Sequence, residues 1–276
     1  MVSQEQRRRQ LAREKFLRQQ QRRTQARRKA NVRNSVIASV LGVIVIGSVT
    51  LYTTGALKGD DKKANAAADV TPSATPTSKA PDPCGKPAAG SVEKMSWKKE
   101  PAMTIDTSAK YSMKLATTCG DIDVALKTAA APHTVNSFNF LAGKGYFDHT
   151  KCHRLTTTGI YVLQCGDPQG TGMGGPGYTL PDENLKDKSL KGNTYPAGTV
   201  AMANTGQKHT GGSQFFLVYK DSPLPPSYTP FGTVSEAGMK VLQKIAAAGA
   251  QAADPTSGNT APNATVVINK ATVTKS

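Results

Sequence analysis

Alternation of apolar and polar positions is regular over the C-terminal two-thirds of the chain and lost over the N-terminal third. Tyr111-Ser112-Met113-Lys114-Leu115 and Asp121-Ile122-Asp123-Val124-Ala125-Leu126 repeat with a period of two, as half-buried strands do, and Gly120 between them suits a tight turn. Residues 132–141 open on Pro132 and space Val135, Phe138 and Leu141 three apart ahead of Gly143, which predicts a helix. Two β-prone pieces, around Leu155 and over 160–163, flank a Thr-Gly turn and predict a hairpin over 152–167. A glycine-rich loop follows at 170–177. Strands are predicted at 199–204, 214–219 and 266–269, and a second helix at 236–248 with Met239, Leu242 and Ile245 on one face. Many strands in hairpins with two separated helices imply a mostly β chain: an antiparallel barrel whose ends are closed by helices.

The N-terminal third divides where composition changes. Residues 1–33 hold twelve Lys/Arg against two Glu, and residues 34–57 carry no charge, being apolar through 36–49. Those 24 residues exceed the roughly 20 needed to cross a ~30 Å hydrocarbon core. Basic residues before the run place that side in the cytoplasm. The expectation is a single-pass membrane helix, with a cytoplasmic arm and the rest of the chain outside the cytoplasm. A cleaved signal peptide is the competing reading, but both its basic and apolar parts would be unusually long. Residues 58–100, rich in Ala, Pro, Thr and Lys, read as a disordered tether, with Cys84 and Trp97 as exceptions that could belong with the folded part. The folded domain is placed at 101–276, where fifteen Lys/Arg face eleven Asp/Glu. The net charge of +16 therefore describes the arm. Arg clusters also bind phosphate, but the arm has one aromatic, Phe16, rather than a set for stacking, and no nucleic-acid partner is expected.

Candidate chemistry concentrates in 152–167. Arg154 lies beside a strand that carries Gln164 among apolar neighbours, and charged residues are seldom placed so unless used or paired. Ala203 and Asn204, then Gln214 and Phe216, form a second polar and aromatic set on strand-like segments. No nucleophile or general base stands out among them. A structural alternative pairs Arg154 with Asp167 or Asp148. The run from Gly170 to Gly175 fits a dinucleotide-loop pattern, yet Pro176 and Pro181 bar the helix that pattern must open. The run from Gly211 to Phe215 lacks the last glycine of a hydrolase elbow. Four His at 133, 149, 153 and 209 are scattered and no Cys-x-x-Cys pair exists, so neither metal nor cofactor is expected. In an oxidising exterior, Cys152 and Cys165 at opposite ends of the hairpin could bridge, leaving Cys84 with Cys119 to fasten the tether; four free thiols are the alternative.

The blocks His153-Arg154, Gln164-Cys165-Gly166-Asp167, Met202-Ala203-Asn204, Gly212-Ser213-Gln214-Phe215-Phe216 and Phe231-Gly232 together resemble the cyclophilin family of peptidyl-prolyl isomerases, in order and near-family spacing. The resemblance implies a closed eight-stranded antiparallel barrel with two capping helices, and isomerisation of X-Pro bonds without a cofactor. It also implies site roles. Arg154 would donate to the prolyl nitrogen; Tyr161, Val162, Phe216 and Leu224 would line the proline pocket with Tyr228 at its edge. Gln164 would orient the guanidinium or the substrate, Ala203 and Asn204 would pair with the substrate backbone, and Gln214 would hold its carbonyl. The chain departs from the family pattern by two extra residues between Arg154 and Gln164 and one between Asn204 and Gln214. Tyr228 replaces a frequent His, and Pro223 replaces the tryptophan of eukaryotic members, which implies weak cyclosporin binding. The expected partners are proline-containing unfolded or exported polypeptides, handled by a monomer. A proline-binding chaperone or scaffold without catalysis is the alternative.

Overall fold

The computed structural model describes residues 81–254 and 258–275. The basic arm, the apolar run at 34–57 and the first part of the tether lie outside the described residues. Among the described residues, no helix is long and apolar enough to cross a membrane.

Among the described residues, eleven strands and two helices follow one another as β1 (Tyr111–Thr117), β2 (Gly120–Leu126), α1 (Pro132–Gly143), β3 (Thr150–Lys151), β4 (Arg154–Leu155), β5 (Val162–Cys165), β6 (Thr194–Tyr195), β7 (Thr199–Met202), β8 (Phe215–Val218), β9 (Ser222–Pro223), β10 (Pro230–Val234), α2 (Glu236–Ala247) and β11 (Val267–Lys275). Nine strands form one curled antiparallel sheet in the order β3-β11-β1-β2-β10-β7-β8-β5-β4, and β6 pairs with β9. Alternation sorts the side chains: Met113, Leu115, Ile122, Val124, Leu163 and Leu217 turn inward and are almost wholly buried. Val135, Phe138 and Leu141 of α1 and Leu242 and Ile245 of α2 join the same core. Each such side chain contributes roughly 1.5–3 kcal/mol on burial.

Both helices begin where their first N–H groups find acceptors. At α1 no cap side chain precedes Pro132; the Glu183 carboxylate reaches over to accept from the His133 and Thr134 N–H groups at 3.0 and 2.9 Å. At α2 the Ser235 hydroxyl accepts from the Gly238 N–H at 3.1 Å, with Glu236 in the first turn and Lys244 in the last, each favourable to the helix dipole.

The ladder departs from the expected closed barrel of eight strands. Nine strands are hydrogen-bonded, with β3 and β4 at the two edges and no ladder between them. Yet β3 and β4 are consecutive pieces of one segment, 150–155, parted at Cys152 and His153. Both of these residues are buried, which interrupts the one-in, one-out alternation of a strand. Lys151 faces Val267 of β11 on one side of the break, and Arg154 faces Gln164 of β5 on the other.

Residues 81–100 belong with this fold, which begins upstream of the boundary drawn at 101. Cys84 is disulfide-bonded to Cys119 in the β1–β2 turn, and Cys152 to Cys165. Next to the first bridge, the Gly85 N–H donates to the Thr118 carbonyl (2.8 Å) and the Ala88 N–H to Asn269 Oδ1 (2.9 Å). Further on, the Trp97 N–H donates to the Pro176 carbonyl at 2.8 Å. The Trp97 ring meets Phe140 edge-on at 5.1 Å and lies 5.9 Å from Tyr146. A segment with no apolar period is thus held by one covalent bond, one aromatic anchor and main-chain hydrogen bonds.

Candidate active site

Neighbouring strands carry the site as a cross-strand row on the outer face of the sheet. Arg154 of β4 faces Gln164 of β5, Gln164 faces Phe216 of β8, and Phe216 faces Ala201 of β7. The adjacent row, Leu155, Leu163, Leu217 and Val200, points into the core. One sheet therefore packs its interior and displays the site with alternate residues. Beneath the site lies a second apolar cluster of Val162, Tyr195, Ala201, Phe216 and Val218. Its aromatic rings meet edge to face: Phe216 with Tyr228 at 5.5 Å and with Tyr195 at 6.2 Å. The buried Tyr195 hydroxyl donates to the Tyr228 carbonyl (2.7 Å) and accepts from the Tyr228 N–H (3.1 Å), which fixes the loop carrying Tyr228. Burial pushes the Tyr195 phenol up to about 12.

Over this floor is a cavity of about 120 Å³. Arg154, Val162, Gln164, Ala203, Asn204, Phe216, Leu224 and Tyr228, all expected at the site, line it together. Drug-sized ligand pockets run to roughly 300–1,000 Å³, so this one suits a single small side chain. Tyr161 does not line it. Counting back from Gln164 with a period of two, Val162 and Ile160 share its face and Tyr161 takes the other. Ile160 is the lining residue that the sequence reading missed. Tyr161 instead meets the Tyr219 ring edge-on at 5.9 Å, with Lys220 Nζ 4.5 Å above its own ring. Gln214 stands just outside the cavity, on a wider cleft of about 990 Å³ that shares Gln164, Ala203 and Asn204 as its boundary and has residues 172–179 as its far wall.

The polar groups form a relay. Arg154 Nη1 donates to Gln164 Oε1 (3.2 Å), Gln164 Nε2 to Gln214 Oε1 (2.9 Å), and Gln214 Nε2 to the Gly174 carbonyl (2.9 Å). The relay ends on a loop shaped by Asp167, a buried carboxylate that accepts from the N–H groups of Gln169 (2.7 Å), Thr171 (2.9 Å) and Gly172 (2.7 Å). Burial alone would raise the Asp167 carboxyl; these donors, with Gly174 N–H and the Thr171 hydroxyl, outweigh it and hold the group below its ordinary value. A side chain at Gly174 would collide with that carboxylate. Asn204 is engaged in a similar way, donating through Nδ2 to the Ser227 carbonyl (2.8 Å) and accepting from the Gly206 N–H (3.0 Å).

Arg154 is thereby aimed but not neutralised. Among the described residues no carboxylate lies at ion-pair distance from it. Asp167, the first alternative partner, is taken up by its loop, and Asp148 Oδ1 accepts from the Ala271 N–H at 2.9 Å. Burial lowers the Arg154 pKa from its ordinary value; a guanidinium remains protonated at any ordinary pH. His153 beside it is buried with neither ring nitrogen hydrogen-bonded, and burial pushes its pKa down, so the imidazole is neutral at pH 7. The arrangement offers one fixed cationic donor over an apolar pocket, and among the described residues that line it there is no carboxylate, imidazole or thiol.

Fold and site together define a mostly β protein with a small, largely apolar cavity lined in part by an arginine. The family described as cyclophilin type peptidyl-prolyl cis-trans isomerase/CLD matches residues 112–273, and the chain belongs to that family. It is 50% identical over 149 residues to a probable peptidyl-prolyl cis-trans isomerase B of Mycobacterium leprae, covering 51% of this chain and 50% of that protein. Its identity to the Mycobacterium tuberculosis protein of the same description is 48% over 149 residues, covering 51% and 48%. With the peptidyl-prolyl cis-trans isomerase B of Bacillus subtilis it shares 44% over 115 residues, 41% of this chain and 76% of that one. The chain spans about half the length of the mycobacterial relatives it matches. Among solved structures, a cyclophilin type peptidyl-prolyl cis-trans isomerase of Cryptosporidium parvum aligns at 26% identity over 60% of this chain and 99% of that one, with a TM-score of 0.48.

Proposed function

We propose that this chain is a peptidyl-prolyl cis-trans isomerase that uses Arg154 to stabilise the twisted amide. The observation that carries the reading is an aimed arginine, free of any carboxylate partner among the described residues, at the mouth of a pocket sized for one small ring. Rotation about an X-Pro bond is opposed by amide resonance, a barrier of about 18–20 kcal/mol, and unaided it takes tens of seconds. At the twisted transition state the nitrogen lone pair leaves the π-system and becomes a hydrogen-bond acceptor. A donor aimed at that nitrogen stabilises the transition state and not the planar ground state, which is the condition for raising kcat. The pocket of Ile160, Val162, Phe216 and Leu224 excludes water, which favours the planar, charge-separated amide. Ala203 and Asn204 hold the substrate backbone along the cleft edge, and Gln214 offers its amide to a substrate carbonyl. The curled sheet is read as an eight-stranded barrel with one strand broken at 152–153.

The substrates are proline-containing polypeptides emerging unfolded outside the cytoplasm, met by a monomer on a single-pass anchor at 34–57. The apolar length of that run and two disulfides, which suit an oxidising compartment, support this placement.

A protease-coupled isomerisation assay on a short X-Pro peptide, with the full-length chain and its Arg154→Ala variant, tests the reading. Loss of one aimed donor of this kind costs about a hundredfold or more in kcat, and that drop in kcat/KM is expected with the melting temperature kept. A loss under about threefold removes Arg154 from the mechanism. Equal background rates with retained peptide binding mean a proline-binding chaperone.

A further inference from the structure

Resting on the isomerase reading, we propose that Lys98 and Lys99 form a cationic lip on the cleft beside the proline pocket and select polypeptides with an acidic residue near the proline. Both lysines line the 990 Å³ cleft that shares Gln164, Ala203 and Asn204 with the pocket. Both are exposed, and among the described residues neither has a carboxylate within ion-pair distance. The third charged residue on the cleft, Glu100, is turned toward His133, with Oε1 3.2 Å from Nδ1. The remaining lining residues are uncharged, so a chain lying in the cleft meets these two ammonium groups as its nearest cations after Arg154.

The lip is held at both ends. Upstream, the Trp97 N–H binds the Pro176 carbonyl, which joins the lip to the 172–179 wall, and the Trp97 ring packs on Phe140 and Tyr146. Gly177 leaves room for that approach, since a side chain there would strike Ser96 and the Trp97 backbone. Downstream, Asn136 Nδ2 donates to the carbonyls of Pro101 (3.3 Å) and Ala102 (3.0 Å). Lys98 and Lys99 therefore stand at a fixed place on the cleft rim, with only their side chains free to follow a ligand. They also precede the residues matched to the family, 112–273, so the lip is an addition to the shared domain. Exposed lysines fit carboxylates better than ring or amide groups, because a flexible ammonium acts as a point charge.

The test measures kcat/KM and Kd of the full-length chain for three X-Pro peptides, identical except for Glu, Gln or Lys at positions two and three residues to either side of the proline. In ~50 mM salt, Glu peptides are expected to bind and turn over about threefold better than Gln peptides, the scale of one or two exposed ion pairs. That advantage should shrink toward one in ~0.5 M salt. In the Lys98→Ala/Lys99→Ala variant the Glu-to-Gln ratio falls to about one, and in Lys98→Glu/Lys99→Glu the Lys peptides take the lead. A ratio near one in the unaltered chain, or one that both double variants preserve, overturns the lip. Absence of turnover on every peptide overturns the isomerase reading instead, and the Kd ratios still decide the lip.

Discussion

Removing Cys152–Cys165 should damage the site as well as the fold, whereas removing Cys84–Cys119 should damage only the fold. The first bridge spans 13 residues and the second 35. By the entropy of the loops they close, the bridges stabilise the chain by about 3 and about 4 kcal/mol respectively. For a domain of this size that is a fall of about 10 °C in melting temperature for either double Cys→Ala variant, the longer loop losing slightly more. Activity should rank them in reverse. Cys152 lies two residues before Arg154 and Cys165 directly follows Gln164, so the short bridge closes the open end of the hairpin that aims the guanidinium. Only two residue pairs, Arg154 with Gln164 and Leu155 with Leu163, join β4 to β5. The Leu155 N–H also donates to the Thr260 carbonyl (2.7 Å) and the Thr260 hydroxyl to the Leu155 carbonyl (2.6 Å), so the bridge matters for the other end of β4, next to Arg154. Displacement of a catalytic group by about 1 Å can lower a rate a hundredfold. Thermal melts and isomerisation at a temperature where each variant is folded give the two readouts. We expect kcat/KM to fall at least about tenfold for Cys152→Ala/Cys165→Ala and less than about twofold for Cys84→Ala/Cys119→Ala. Equal activity losses in the two variants would refute the reasoning, since they would show that the short bridge does nothing particular for Arg154.

Two further outcomes follow from geometry and charge. Ile160→Ala should raise KM for a short proline peptide about fivefold by removing apolar area from the pocket, while Tyr161→Ala leaves it within about twofold; the opposite ranking would return Tyr161 to the pocket. Stability should also fall with acid through His153. Burial holds its folded pKa below 6.5, so the unfolded chain takes the proton first, and stability present above about 6.5 is lost as pH falls toward the folded value. Asp167, whose folded pKa is lowered from 3.8, acts in the same direction but only below that value. Melting temperatures from pH 7 to pH 5 should therefore decline for the unaltered chain and flatten in His153→Gln; parallel slopes would exclude His153 as the cause.

Much of this architecture was legible because its signals are local. The period of two around Met113, Val124 and Leu163, and the period near three in α1 and α2, each follow from one buried face, and the structure keeps those elements close to where the pattern put them. The hairpin ends also indicated which cysteines could meet. What escaped depended on contacts distant in sequence. Residues 81–100 have a linker's composition, and residues far along the chain, among them Cys119, Phe140, Tyr146, Pro176, Thr265 and Asn269, order them. The break between β3 and β4 has no compositional mark, because Cys152 and His153 are both residues a strand accepts. Tyr161 was misplaced for another reason. An aromatic residue after the turn draws attention by type, while alternation from Gln164 selects Ile160, a signal that was present and outweighed.

The bond from Cys84 to Cys119 also sets the route by which tension crosses the domain. A pull on the chain upstream of residue 81 arrives at Asp82 and Cys84, within a few residues of the bridge. There Asp82 Oδ2 accepts from the Thr265 N–H at 2.9 Å, and the load passes through a covalent bond into the turn between β1 and β2. From that turn it spreads into β11, β1 and β2, joined by two ladders of seven residue pairs each. The stretch from Gly85 to Glu100 lies beyond the junction and stays slack. Trp97, the two rim lysines and the arginine pocket are mechanically shaded, so the chain can be tugged from its N-terminal side without loosening the pocket. With the bridge opened, the same tug would run along this stretch, loading first the Gly85 and Ala88 hydrogen bonds to Thr118 and Asn269 and then the packing of Trp97 on Phe140.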